Sequence, residues 1–251
     1  TAVLGRPKEV YINPKITNYS EAEDFFNRIV TQGQSANGLF AVKIMQDQWA
    51  KVDHVHSYLT PRSSFTRLVL SKFSLVKKNN NDVNSQLDNL YGFYKGATWV
   101  FLKRKGHLYQ AISRDMANQT RVCHALNTTE ESKLEGIGKR NSINIENATT
   151  YNQKAQYRPN KILNCIQAIK NEELCWEQFF SKYKIKPIEL YYEEIIEDKS
   201  YLKEIAQRVN VDLPKTLPPI PLVKIGNELN DEWAERFKQD FPDYQYHNPL
   251  K

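Results

Sequence analysis

Trp99-Val-Phe-Leu-Lys-Arg-Lys-Gly-His-Leu-Tyr-Gln-Ala-Ile-Ser-Arg-Asp-Met-Ala-Asn-Gln-Thr120 is the stretch that decides how this chain folds. Its first four residues are apolar and run into Lys103, Arg104 and Lys105, so they read as a short buried strand that feeds a helix over 107–118. Three cations then stand at the carboxyl end of a strand, the edge at which open α/β sheets bind their ligands. Ser113 lies nine residues beyond Arg104, about two turns into the helix and within reach of the same anion. Guanidinium, hydroxyl and a helix N-terminus together favour a phosphate. Strand ends also carry Lys and Arg simply because they emerge into water, so the residues alone leave a solvated strand end as the other reading.

Working outward, Ser20 and Glu23 form a capping box ahead of a helix carrying Ala22, Phe25, Phe26, Ile29 and Val30, which ends near Gly33. Residues 39–45 read as a buried strand, and helices are expected at 64–73 and 83–90 around a polar turn at 77–82. The stretch 126–157 is rich in Asn, Thr, Glu and Lys with little apolar periodicity, and reads as a long loop or flap. Pro159 opens the longest helix, with Ile162, Ile166, Ile169, Trp176 and Phe180 on one side. Lys186-Pro187 marks its exit into a strand at 188–191. Ser200 caps a helix carrying Leu202, Ile205 and Val209, and an extended linker over 213–221 leads to a helix around Trp233. Strands separated by helices predict the α/β class, a parallel sheet flanked by helices, in a single domain over 1–251.

Composition narrows the function. With 40% hydrophobic and 25% charged residues, the 251-residue chain has the makings of one substantial core. A net charge of +6 favours an anionic partner. Nucleic acid is not the expected one, because the cations are dispersed among Asp and Glu and no zinc, helix-turn-helix or ribonucleoprotein motif is present. No apolar run approaches the length that spans a bilayer, so no membrane partner is expected and the expected location is the cytoplasm. The three cysteines, Cys123, Cys165 and Cys175, lack CxxC spacing and suit a reducing compartment. His54 and His56 sit two apart in what reads as a polar loop, without further ligands at metal spacing, so no metal is expected. A hydrolase elbow and a dinucleotide fingerprint are both missing.

The spacing Arg104-x5-Gln110-Ala-x-Ser113, followed by Ala117-x-Gln119-Thr120, resembles the 3′-phosphate-binding strand and helix of the bacterial trehalose 2-sulfotransferase family. Gly106 stands where that family usually has Asp. Gly5-Arg-Pro-Lys-Glu9 is similar to the family's Gly-x-Pro-x-Glu segment. The segment 39–45, with Asp47 and Gln48 beyond it, resembles a Gly-x-Lys-x-Met strand, Gln46 replacing the usual Trp. Lys224 to Phe237 resembles the final segment, where a basic residue approaches the nucleotide.

The resemblance implies a P-loop-like sulfotransferase fold and transfer of a sulfuryl group from 3′-phosphoadenosine-5′-phosphosulfate to a hydroxyl of a carbohydrate or related small metabolite. It gives Glu9 the role of general base, Arg104 and Ser113 that of 3′-phosphate ligands, and Lys224 that of a further cation on the nucleotide. It also implies a homodimer. The family's opening strand and Ser-x-Arg-Ser-Gly-Ser-Thr-type phosphosulfate loop have no counterpart here, so an N-terminally incomplete domain is expected. A non-catalytic nucleotide- or partner-binding protein of the same fold is the alternative.

Overall fold

Helices alternate with short strands along the chain: α1 (Tyr19–Gly33), α2 (Trp49–Leu59), α3 (Asp88–Phe93), β1 (Val100–Lys103), α4 (His107–Thr120), β2 (His124–Leu126), β3 (Ser142–Asn144), α5 (Pro159–Lys182), β4 (Ile188–Tyr191), α6 (Tyr192–Glu197), α7 (Tyr201–Arg208), β5 (Leu222–Val223) and α8 (Glu228–Asp240). This computed structural model describes residues 16–35, 37–59, 88–126, 142–217, 222–223 and 225–244. The fold is α/β, with β1 and β4 paired in a parallel two-stranded sheet and flanked by helices. Two compact units divide the chain. One takes Thr1–Val100, Cys175–Ile188 and Leu202–Lys215, and the other Phe101–Leu174, Glu189–Tyr201 and Thr216–Lys251.

The first unit is built on aromatic packing. Its α1 is capped two residues earlier than expected: Asn18 accepts from the Glu21 N–H at 3.0 Å, and the Glu21 carboxylate takes the N–H and hydroxyl of Thr17. Those bonds hold the Glu21 carboxyl below the usual range. Ala22, Phe25 and Ile29 are buried along one side of α1. The histidines expected in a polar loop lie in α2 instead. Trp49, Val52, Val55 and His56 recur at helical spacing and are buried, and Gln48 caps the entry by accepting from the Met45 N–H. Trp49 meets the edge of Trp176 at 4.6 Å, and Trp99, Phe179 and Phe180 complete the group. Ile188 donates to the carbonyl of Trp99 at 2.9 Å.

The segment 39–45 is not a regular strand. It turns back at Gly38, whose φ of +83° a side chain would strain, so that Phe40 bridges antiparallel to Gln34 and residues 39–42 are only half-buried. The helix expected at 64–73 lies outside the described residues, as does most of the one at 83–90.

In the second unit, Ala111, Ile112 and Met116 of α4 pack against Ile162, Ile166 and Ile169 of α5 and against Trp233, Ala234 and Phe237 of α8, all almost fully buried. The spacing of these residues on each helix gives one apolar side, and the three sides close on each other. A second sheet, in the order β3-β2-β5, sets β2 parallel to β3 and antiparallel to β5, with Ala125 opposite both Ile143 and Val223. The stretch 126–157, expected to be a long loop or flap, supplies among its described residues a strand and then a short helical turn at Ile145–Asn147. Strand β1 is half-buried where full burial was expected. Phe101 faces the interior while Val100 and Leu102 are 42% and 53% exposed, as the two-residue alternation of a strand dictates when one face is covered.

Candidate functional site

Parallel pairing places the carboxyl ends of β1 and β4 side by side. From β1 the chain turns through 104–106 into α4, with Gly106 as the residue before the helix, and from β4 it passes directly into α6. Residues 103–105 and 189–194 thus meet at one edge.

The three expected cations are there, each facing a carboxylate. Lys103 Nζ lies 2.7 Å from Glu189 Oε2 and over the rings of Phe101 and Tyr191. Partial burial pulls its pKa down, but Glu189 and Tyr191 outweigh burial and lift it above the ordinary lysine value. Lys105 Nζ lies 2.8 Å from Glu194, whose hydrogen bond raises the lysine pKa. Arg104 stacks on Tyr192, its guanidinium carbon 4.0 Å from the ring centre, and Nη1 stands 3.5 Å from Glu193 Oε1. The other oxygen of Glu193 accepts from the backbone N–H of Lys105 at 3.0 Å. The edge is therefore balanced in charge, where the sequence led us to expect an excess of cations. Between the Arg104 guanidinium and the Lys105 N–H stands a carboxylate of the chain itself, Glu193.

Ser113 stands on the exposed side of α4, one turn beyond Tyr109. The Tyr109 hydroxyl donates to Asp231, and its pKa is raised by burial and then by that carboxylate. Helix α4 is firmly held. His107 meets Glu173 at 2.8 Å, and Arg114 reaches both oxygens of Glu172. Asp115, 2% exposed, takes Arg158 at 2.5 Å and Gln119 at 2.9 Å. Gln119 also exchanges two bonds with the backbone of Gln156, and Thr120 closes the helix by donating to the Met116 carbonyl. Ala111, Gln119 and Thr120 thus shape and anchor the helix that carries Ser113.

Arg104 and Ser113 are placed on consecutive elements, β1's exit and α4. Glu9 and Lys224 lie outside the described residues. Sequence reasoning missed Tyr192, Glu193 and Glu194. The signal was present, because Glu189-Leu-Tyr-Tyr-Glu-Glu194 covers and follows the expected strand 188–191, and parallel neighbours share an end. His54 and His56 do not converge on a metal. His54 Nε2 is bonded to the Ile16 carbonyl at 2.9 Å, and His56 is buried against Phe93. Among the described residues no group of three or more His, Cys, Asp or Glu is placed to hold a metal ion, and no helix is long and apolar enough to cross a membrane.

Residues 9–240 match the model of a family described as Stf0 sulphotransferase. No curated protein matches the sequence.

Proposed function

The chain belongs to the Stf0 sulphotransferase family, and from that premise we propose that it moves a sulfuryl group from 3′-phosphoadenosine-5′-phosphosulfate to a hydroxyl of a carbohydrate or related small metabolite. Arg104 and Ser113 hold the 3′-phosphate, and Lys224 adds a further cation. Glu9 takes the proton from the acceptor hydroxyl as the new O–S bond forms. The bond from sulfur to the 5′-phosphate oxygen breaks, and adenosine 3′,5′-bisphosphate leaves. The transfer needs the attacking oxygen, the sulfur and the leaving oxygen in line, and an anchor on the 3′-phosphate helps to fix that geometry.

One observation carries this reading: the Arg104 guanidinium and the Lys105 N–H converge on a single oxyanion at the carboxyl end of a parallel strand. Those donors fit a phosphate. Arg104→Ala is expected to weaken adenosine 3′,5′-bisphosphate by about 1.5 to 3 kcal/mol, the scale of a charge-assisted hydrogen bond, and Ser113→Ala by less. Calorimetric titration measures both, and transfer from labelled donor to a panel of sugars measures turnover. Parent-like binding by Arg104→Ala refutes the site. Binding of the bisphosphate without transfer to any acceptor favours the non-catalytic alternative.

A further inference from the structure

We propose that Tyr192 and Glu193, the first two residues of α6, set the affinity of the Arg104 site: the Tyr192 ring positions the guanidinium, and the Glu193 carboxylate fills its oxyanion position until a phosphate displaces it. The inference rests on the donor reading above and extends it to residues that neither the sequence motif nor the family match singles out.

The stack comes first. With the guanidinium carbon 4.0 Å from the Tyr192 ring centre, the cation lies over the ring's negative π-cloud. Such a contact leaves the N–H groups in the guanidinium plane available to an oxyanion. It also restrains a long side chain, only 28% exposed, that would otherwise lose rotamer freedom on binding.

The carboxylate comes second. Glu193 bridges the Lys105 N–H at 3.0 Å and Arg104 Nη1 at 3.5 Å, one oxygen to each, which is how two oxygens of a phosphate span a loop N–H and a guanidinium. The Arg104 contact is long, since charge-assisted N–H···O bonds close to about 2.7–2.9 Å. Glu193 is itself 31% exposed. A partly solvated carboxylate at that distance holds the arginine loosely and exchanges readily for a doubly charged phosphate. Because Glu193 sits at the start of α6, the carboxylate can swing out on its own side chain while Tyr192 stays under the guanidinium.

The two residues therefore act in opposite directions, and that opposition is the test. Adenosine 3′,5′-bisphosphate is titrated into the full chain and into Arg104→Ala, Tyr192→Leu, Tyr192→Phe and Glu193→Gln, with thermal unfolding of each unliganded protein as the control for folding. Loss of the ring in Tyr192→Leu is expected to weaken binding about two- to fivefold, and Tyr192→Phe, which keeps the ring, to restore it. Glu193→Gln keeps the shape but removes the competing charge, and is expected to tighten binding about three- to tenfold. Parent-like or weaker binding by Glu193→Gln overturns the displacement, and parent-like binding by Tyr192→Leu overturns the positioning. If the parent fails to bind, or Arg104→Ala binds as the parent does, the donor reading itself falls.

Discussion

His56 makes this protein's stability depend on pH between neutrality and moderate acid. The imidazole is fully buried, stacked on Phe93 at 4.0 Å and ringed edge-on by Phe26 and Tyr94, and burial lowers its pKa from 6.5 to about 3. A histidine held neutral in the folded state binds its proton more readily when unfolded, so acid pulls the equilibrium toward unfolding. Its contribution is complete above pH 6.5 and is lost as pH falls from there toward 3. Between pH 7.5 and pH 5 the two pKa values give a loss of about 2 kcal/mol by linkage. That is a large share of the stability of an ordinary domain. The assay is urea unfolding of the parent and of His56→Phe at both pH values, the phenyl ring taking the place of the imidazole in the stack. The parent should lose about 2 kcal/mol more than the variant on acidification. Equal losses in the two proteins would refute the argument, because carboxylates and the other histidines titrate in both.

Three further outcomes are expected. Arg158→Ala leaves Asp115, 2% exposed, with its charge unpaired and should cost about 2 to 3 kcal/mol by chemical denaturation, discounted because Arg158 itself is 38% exposed; replacing both partners by apolar residues should cost much less. Asn152 exchanges two amide hydrogen bonds with Asn227 while 1% exposed, so Asn152→Leu should destabilise by about 1 to 3 kcal/mol in the same assay, and an unchanged denaturation midpoint would show the pair to be worth nothing. Glu9→Gln keeps shape but removes basicity, so turnover should fall about 10² to 10⁴-fold with bisphosphate affinity little changed; full turnover would move the base to another carboxylate.

Where local rules decide structure, the residues alone sufficed. The long helix from Pro159 has a proline that cannot continue a preceding helix, an apolar side repeating at helical spacing and an exit at Pro187, and α5 and β4 fall where those signals put them. The same holds for the strand that ends on Lys103-Arg-Lys105 and the helix after it, which also carry the most specific part of the family resemblance. Local rules misled where a competing partner lay nearby. Ser20 with Glu23 and Asn18 with Glu21 are both plausible caps, and the choice fell to Asn18 because Thr17 supplies two further donors to Glu21. His54 and His56 read as part of a polar loop, although Trp49, Val52, Val55 and His56 lie along one side of a helix.

The sequence by itself determined the α/β alternation, the helices with a complete apolar stripe, the residues that mark the chain as a sulfotransferase, and the cations at the end of β1. Those are properties of neighbours along the chain, set by periodicity, capping and spacing. Only the tertiary structure decided which carboxylates answer those cations, that Tyr192 lies under Arg104, and that Glu193 stands in the oxyanion position. Some 90 residues separate the loop after β1 from α6. The parallel pairing of β1 with β4 brings them together, and such pairing depends on which strands share a ladder, which no local pattern in either segment specifies.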